Sequence, residues 1–98
     1  MLDKQGYVYI MSNTYRTTFY IGMTNSLEVR VSQHINGVGS DFVKRYHLYD
    51  LVYYEHFFRI TDAIDREKQL KRWHKDWKIN LIKSVNPDMR DLKGDLAW

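Results

Sequence analysis

The chain has 98 residues, of which 44% are hydrophobic and 28% charged, the balance of a soluble globular domain and not of a disordered chain. It contains no cysteine, which excludes disulfides, thiolate zinc sites and cysteine nucleophiles, and no apolar run approaches the ~20 residues that span a bilayer. The formal net charge of +3 suits a polyanionic partner without demanding one.

At this length one hydrophobic core is expected, so residues 1–98 are read as one domain with a core over about 6–85 and a tail over 86–98. No apolar run follows a basic start at the N-terminus, and the cytoplasm is the expected compartment. Residues 1–5 are a polar lead-in. Tyr7-Val8-Tyr9-Ile10 and Phe19-Tyr20-Ile21-Gly22 are rich in aromatic and β-branched residues and flank a polar break, which predicts a β-hairpin. A turn centred on Thr14 and Tyr15 would set Tyr9 directly opposite Tyr20, with both phenols on one face.

Asn25-Ser26-Leu27-Glu28 predicts a helix start, with Asn25 or Ser26 as the cap and Glu28 at the positive end of the dipole. Leu27, Val31 and Ile35 form its apolar stripe, Arg30 and His34 lie beside that stripe one turn apart, and Gly37 ends the helix. Residues 37–50 read as a loop holding a short helical turn, made basic by Lys44, Arg45 and His47. Residues 51–58 are the clearest third strand and are apolar enough for a central position in a sheet. A second helix opens at Thr61-Asp62 with Ile64, Leu70, Trp73 and Trp77 as inward anchors. Glu67 falls between Ile64 and Leu70, an unusual place for a carboxylate, while Lys68, Lys71, Arg72, Lys75 and Lys78 make a basic outer face. A break near His74-Lys75-Asp76 precedes a further helical run over 77–85, Asn86-Pro87 stops it, and Met89, Leu92 and Trp98 pack the tail back. The fold class is α/β (α+β): a small, three-stranded, mostly antiparallel sheet flanked by helices.

The two strand motifs, Tyr7-Val8-Tyr9 and Tyr20-Ile21-Gly22, separated by residues 10–19, resemble the signature of the GIY-YIG nuclease superfamily. The second motif matches letter for letter. In the first, Tyr7 stands in place of the usual leading glycine, and Gly6 lies one position earlier. Arg30, His34 and Glu67 follow in the order and approximate spacing of that superfamily, so the resemblance covers residues 6 to about 85 and is similar to its small standalone branch. It implies a metal-dependent endonuclease that hydrolyses DNA phosphodiester bonds in repair, recombination or processing. Tyr9, Tyr20, Arg30, His34 and Glu67 would be catalytic, with Arg30 on the scissile phosphate and Glu67 holding Mg2+ or Mn2+. Such hydrolysis needs a base for water, cationic charge at phosphorus and help for the leaving oxygen. A phenol with its ordinary pKa of ~10 needs a neighbouring cation to serve as base, and Arg30, Lys4 and His34 are candidates. Lys44, Arg45, Lys68, Lys71, Arg72 and Lys75 are the expected DNA contacts. These contacts would give salt-sensitive affinity without sequence preference. Larger repair or recombination proteins are conceivable partners, and no membrane is expected.

Each residue also has an ordinary role. Strand tyrosines are usually structural, Arg30 and His34 suit a solvated helix flank, and Glu67 can pair with Lys71 or Lys68 for only ~0.3–0.5 kcal/mol. The ordered set as a whole favours catalysis. A binding module on the same scaffold without hydrolysis is the alternative, and a protein-interaction domain using Trp73, Trp77 and Trp98 is the third reading. Asn80 and Asn86 compete for a terminal asparagine role, Lys44 and His47 for a further polar one, and His56 is read as packing. The histidine spacing does not suit zinc.

Overall fold

The computed structural model describes residues 4–96. Its most buried stretch is the strand β1, Gly6–Ser12, in which Val8, Tyr9, Ile10 and Met11 are completely inaccessible. The antiparallel partners β2, Phe19–Thr24, and β3, Asp50–Phe57, flank it in the order β2-β1-β3. Helices α1, Leu27–Ile35, and α2, Asp41–Tyr46, supply the layer on one face. Helices α3, Ile60–Lys71, and α4, Lys75–Val85, supply the layer on the other, and a single 3₁₀ turn, Lys93–Asp95, lies in the tail. The alternation of β1 sorts the core: Val8 and Ile10 join Ile21, Val52, Ala63, Leu70, Ile82 and Met89. Tyr9 and Met11 join Leu27, Val31, Val43, Leu48 and Leu51. A strand covered on both faces reads as a near-continuous apolar run, which is why the Tyr9 hydroxyl is the only polar side-chain group in residues 8–11.

The third strand is therefore an edge and not the centre expected from its composition. Its apolar start is buried by the two helical layers and by the tail, which also satisfies its outer backbone groups. Leu92 N–H donates to the Leu51 carbonyl at 2.6 Å, and Leu51 N–H donates to Asp91 Oδ1 at 3.0 Å. The buried Asn86 side chain donates to the carbonyls of Val52 and Arg90, both at 2.9 Å, and accepts Arg90 N–H at 3.2 Å. Phe58 falls outside the strand and is 87% exposed. A β-bulge makes Ile10 face Tyr53 while Met11 faces Leu51, leaving Val52 as the extra residue.

The hairpin register also differs from expectation. Tyr9 pairs with Gly22, and Tyr20 with Met11. The loop turns later than Thr14-Tyr15 because Asn13 Oδ1 accepts from Thr17 N–H at 2.9 Å and Thr18 N–H at 3.1 Å, while Arg16 adopts φ +60°. The Arg16 guanidinium then bonds Asp50 at 2.8 Å and the Met89 carbonyl at 2.7 Å, fixing the loop to β3 and the tail. The displacement is even in residues, so both tyrosines keep their shared face as diagonal neighbours.

In α1 the buried residues are Leu27, Val31 and His34, whereas Ile35 is 40% exposed. At 3.6 residues per turn, a step of seven returns closer to the starting face than a step of eight, so the histidine and not the isoleucine completes the stripe. Ser26 precedes α1 without a side-chain cap bond; its N–H donates instead to Thr24 Oγ1 at 3.1 Å. In the opposite layer Ala63, Leu70 and Ile82 are buried. Trp73 packs half-buried on them, but Trp77 is 54% exposed, because the break before α4 resets the helical phase and Ile79 and Ile82 face inward. Trp98 lies outside the described residues. Among those residues no helix is long and apolar enough to cross a membrane.

Candidate active site

Tyr9 emerges from the middle of β1 toward α1, and its hydroxyl lies 2.7 Å from His34 Nε2, a buried bond between residues far apart in sequence. Tyr20, from β2, completes a group of three rings, with centroids 6.3 Å from Tyr9 and 5.4 Å edge-on from His34. The close fit depends on the residue opposite Tyr9. A Cβ added at Gly22 would stand 2.4 Å from Tyr9 Cζ and hydroxyl oxygen, so the glycine of the second motif is the space the Tyr9 ring occupies. Gly6 answers a different need, since a Cβ there would stand 2.7 Å from Ala63 Cβ on α3. The glycine displaced by one place in the first motif thus seats α3 against the start of β1.

Gly22→Ala is expected to destabilise the fold by about 1–3 kcal/mol through overpacking and to move the Tyr9 hydroxyl away from His34. Urea unfolding checks the first effect. Loss of the Tyr9–His34 contact in the variant's structure checks the second.

Arg30 and His34 stand one turn apart on α1, as the sequence predicts. The Arg30 guanidinium donates through Nη1 to Gln33 Oε1 at 3.2 Å. Among the described residues, Arg30 Nε and His34 Nδ1 are buried nitrogen atoms without a hydrogen-bond partner, and such groups call for a reason. Burial pushes the Tyr9 phenol well above its ordinary pKa, helped by the neighbouring Tyr20, while the Arg30 charge beside it pulls the other way. Burial and then Arg30 lower His34 to about 4. His34 is consequently neutral at physiological pH, and the expectation that it can serve as a cation for a Tyr9 phenolate is corrected. A neutral imidazole that accepts the Tyr9 proton at Nε2 carries its own N–H on Nδ1.

Glu67 stands on α3, which packs on β1 and β2. Its side chain is half-buried, 3.5 Å from Lys71 Nζ, and near enough for its charge to act on the Tyr9 phenol. Among the described residues no group of three or more His, Cys, Asp or Glu side chains is placed to hold a metal. One carboxylate nevertheless suits Mg2+, which keeps several waters and takes its other ligands from phosphates.

The expected DNA contacts fall in two groups. Lys44 and Arg45 are exposed on α2, with Arg45 stacked 5.6 Å over the Tyr46 ring. Lys68, Lys71, Arg72 and Lys75 are exposed around the junction of α3 and α4, where Lys75 Nζ bonds the Thr17 carbonyl and lies 5.9 Å from the Phe19 ring. Lys78, expected on the outer face, is half-buried beside Tyr20 in a recess that also includes Lys71 and Phe42. Asn86 is committed to β3 and the tail by its three side-chain hydrogen bonds, whereas Asn80 lies with Trp73 and Trp77. His47 caps α2 in a left-handed conformation, and His56 bonds Gln5 and packs on Tyr7. Sequence reasoning missed Gly22 as the cradle of Tyr9, and also Gln33 and Phe42. The first depends on the Tyr9–Gly22 register, which only the structure sets, and nothing in local pattern marks the other two.

A family model described as the GIY-YIG catalytic domain matches residues 5–80, and the chain belongs to that family of nuclease-type domains. It is similar to small UPF0213 proteins. One from Clostridium perfringens is 36% identical over 78 residues, covering 80% of this chain and 83% of that one. Another, from Oceanobacillus iheyensis, is 30% identical with coverage of 83% and 93%, and a third, from Syntrophus aciditrophicus, is 32% identical with coverage of 87% and 97%. No solved structure gives a significant match.

Proposed function

We propose that the chain is a divalent-metal-dependent DNA endonuclease that hydrolyses phosphodiester bonds, selecting substrates by structure more than by sequence, in repair, recombination or processing. The observation that carries this reading is the buried Tyr9–His34 hydrogen bond, with Tyr20 packed beside it and the charges of Arg30 and Glu67 both acting on the Tyr9 phenol. A buried phenol does not ionise by itself. It can accept a proton from water while releasing its own to the neutral His34 Nε2, so that no free phenolate forms. Arg30 would balance the charge that develops on the phosphoryl oxygens, and Tyr20 would orient the water or the phosphate. Glu67 would hold the metal, which supplies charge neutralisation and activation of the leaving 3′ oxygen.

The test is turnover on a panel of branched, flapped, single-stranded and linear DNAs in Mg2+, in Mn2+ and in EDTA. Cleavage is expected with either ion and none in EDTA. Equal cleavage in EDTA would sink the metal assignment, and tight binding without turnover on any substrate would favour a binding-only module. The exposed Trp77 keeps a protein-docking role in view as a second use of the α4 surface, but it touches none of the catalytic candidates named above.

A further inference from the structure

We infer that the recess beside Tyr20 is a nucleobase subsite that takes one unstacked base next to the scissile phosphate; this rests on the nuclease reading above. The recess has a volume of about 370 Å³ and is lined by Phe19, Tyr20, Ile21, Phe42, Lys71 and Lys78. That size lies within the range of small-ligand sites, and its walls combine the two chemistries that hold a single strand. Aromatic faces stack any base, and lysines meet the phosphates on either side of it.

The aromatic wall is built from two elements. Phe42 on α2 is 45% exposed; its ring lies 6.4 Å from Tyr20 with 32° between the planes and 4.8 Å from Tyr46. An inserted base would bury that ring. The cationic wall comes from the other layer. Lys71 and Lys78 reach it from α3 and α4, and Lys75 stands over Phe19 at the rim. Burial lowers the Lys78 pKa, and a nearby phosphate would favour the charged form again.

Tyr20 belongs to both places, lining the recess and standing 5.4 Å from His34. An occupant would therefore adjoin the catalytic cluster. A second recess of similar volume includes Arg30 with Thr24, Asn25, Ser26 and Gln33 and no aromatic residue. A strand crossing from one recess to the other would meet backbone-binding groups first and a stacking site second. A base inside a duplex is already stacked and must be extruded to enter, so the subsite selects DNA that is unpaired at the cut.

The test measures binding in EDTA by fluorescence anisotropy, using the full chain with a single-stranded oligonucleotide and with a blunt duplex of the same sequence. Phe42→Ala is expected to weaken single-strand binding by about tenfold and leave duplex binding within about twofold, because phosphate contacts remain. Phe42→Trp, which enlarges the stacking surface, is expected to match or tighten single-strand binding without changing the duplex. A 2-aminopurine placed at the cut site is expected to be quenched by the native chain and not by Phe42→Ala. Equal effects of Phe42→Ala on both DNAs, no effect on either, or a Phe42→Trp variant that loses single-strand binding would each overturn the subsite while leaving the nuclease reading intact. Absence of both binding and cleavage by the native chain on any DNA would overturn both.

Discussion

Tyr9→Phe is expected to reduce DNA cleavage by about 10²–10⁴-fold, the usual contribution of a positioned acid or base, with substrate binding nearly unchanged. The phenylalanine ring fits the same space over Gly22, but the hydroxyl that bonds His34 at 2.7 Å is gone. The cost to stability is about 1–3 kcal/mol, because a buried imidazole nitrogen is left without its partner. Single-turnover kinetics with urea unfolding separates the two effects. The pH profile supplies a further check on the same variant's parent. Because His34 titrates at about 4, the acid limb should lie near that value and not near the ordinary 6.5 for histidine. Because the Tyr9 phenol is raised, no rise in rate should accompany phenol ionisation between pH 8 and about 10. Full activity in Tyr9→Phe would remove Tyr9 from the chemistry. Stability follows the same linkage: the unfolded chain protonates His34 more readily, so this contribution is complete above about 6.5 and declines as pH falls toward 4.

Glu67→Gln should have an effect of similar size by a different route. The substitution keeps the shape of the side chain and removes the charge proposed to hold the metal, whose stabilisation of the transition state is worth several kcal/mol, or about 10³ in rate. Two side effects are small or opposite. The exposed Lys71 partner contributes only about 0.3–0.5 kcal/mol, so the unfolding midpoint should hardly move. The Glu67 charge raises the Tyr9 pKa, so its removal eases proton loss from the phenol and would by itself favour catalysis. A large fall in turnover, with the Mg2+ requirement shifted to higher concentration, would therefore identify metal binding. Turnover equal to that of the native chain would end the assignment.

Local sequence carried the hairpin, the first helix, a break before the last helix, though it set that break near residues 74–76 and not over 72–74, and the helix stop at Asn86, because turn residues and periodicity act over a few positions. It also carried the family resemblance, through the pair of tyrosines and the spacing to Arg30, His34 and Glu67. What it missed depends on pairing between distant segments. The strand order was misjudged because an apolar strand buried by helices and a tail has the same composition as one buried between two other strands. The even displacement of the hairpin register followed from the Asn13 side chain gathering two backbone N–H groups, a detail that leaves no trace in hydrophobic pattern. His34 resembled a surface residue by type, and only its step of seven from Leu27 pointed inward. The electrostatic character of the site was legible least of all, since burial, the larger of the two causes that keep His34 neutral, belongs to the assembled layers.

The extra residue Val52 gives β3 a divided allegiance. Leu51 packs on the side where Tyr9 and His34 meet, whereas Val52 and Tyr53 after it both pack on the side where α3 rests. One length of backbone is thus anchored in both halves of the interior, and a shift in either half is transmitted to the other through a joint that cannot slide without turning its side chains inside out. The phenol and the acid, held by opposite halves, share a common mechanical reference.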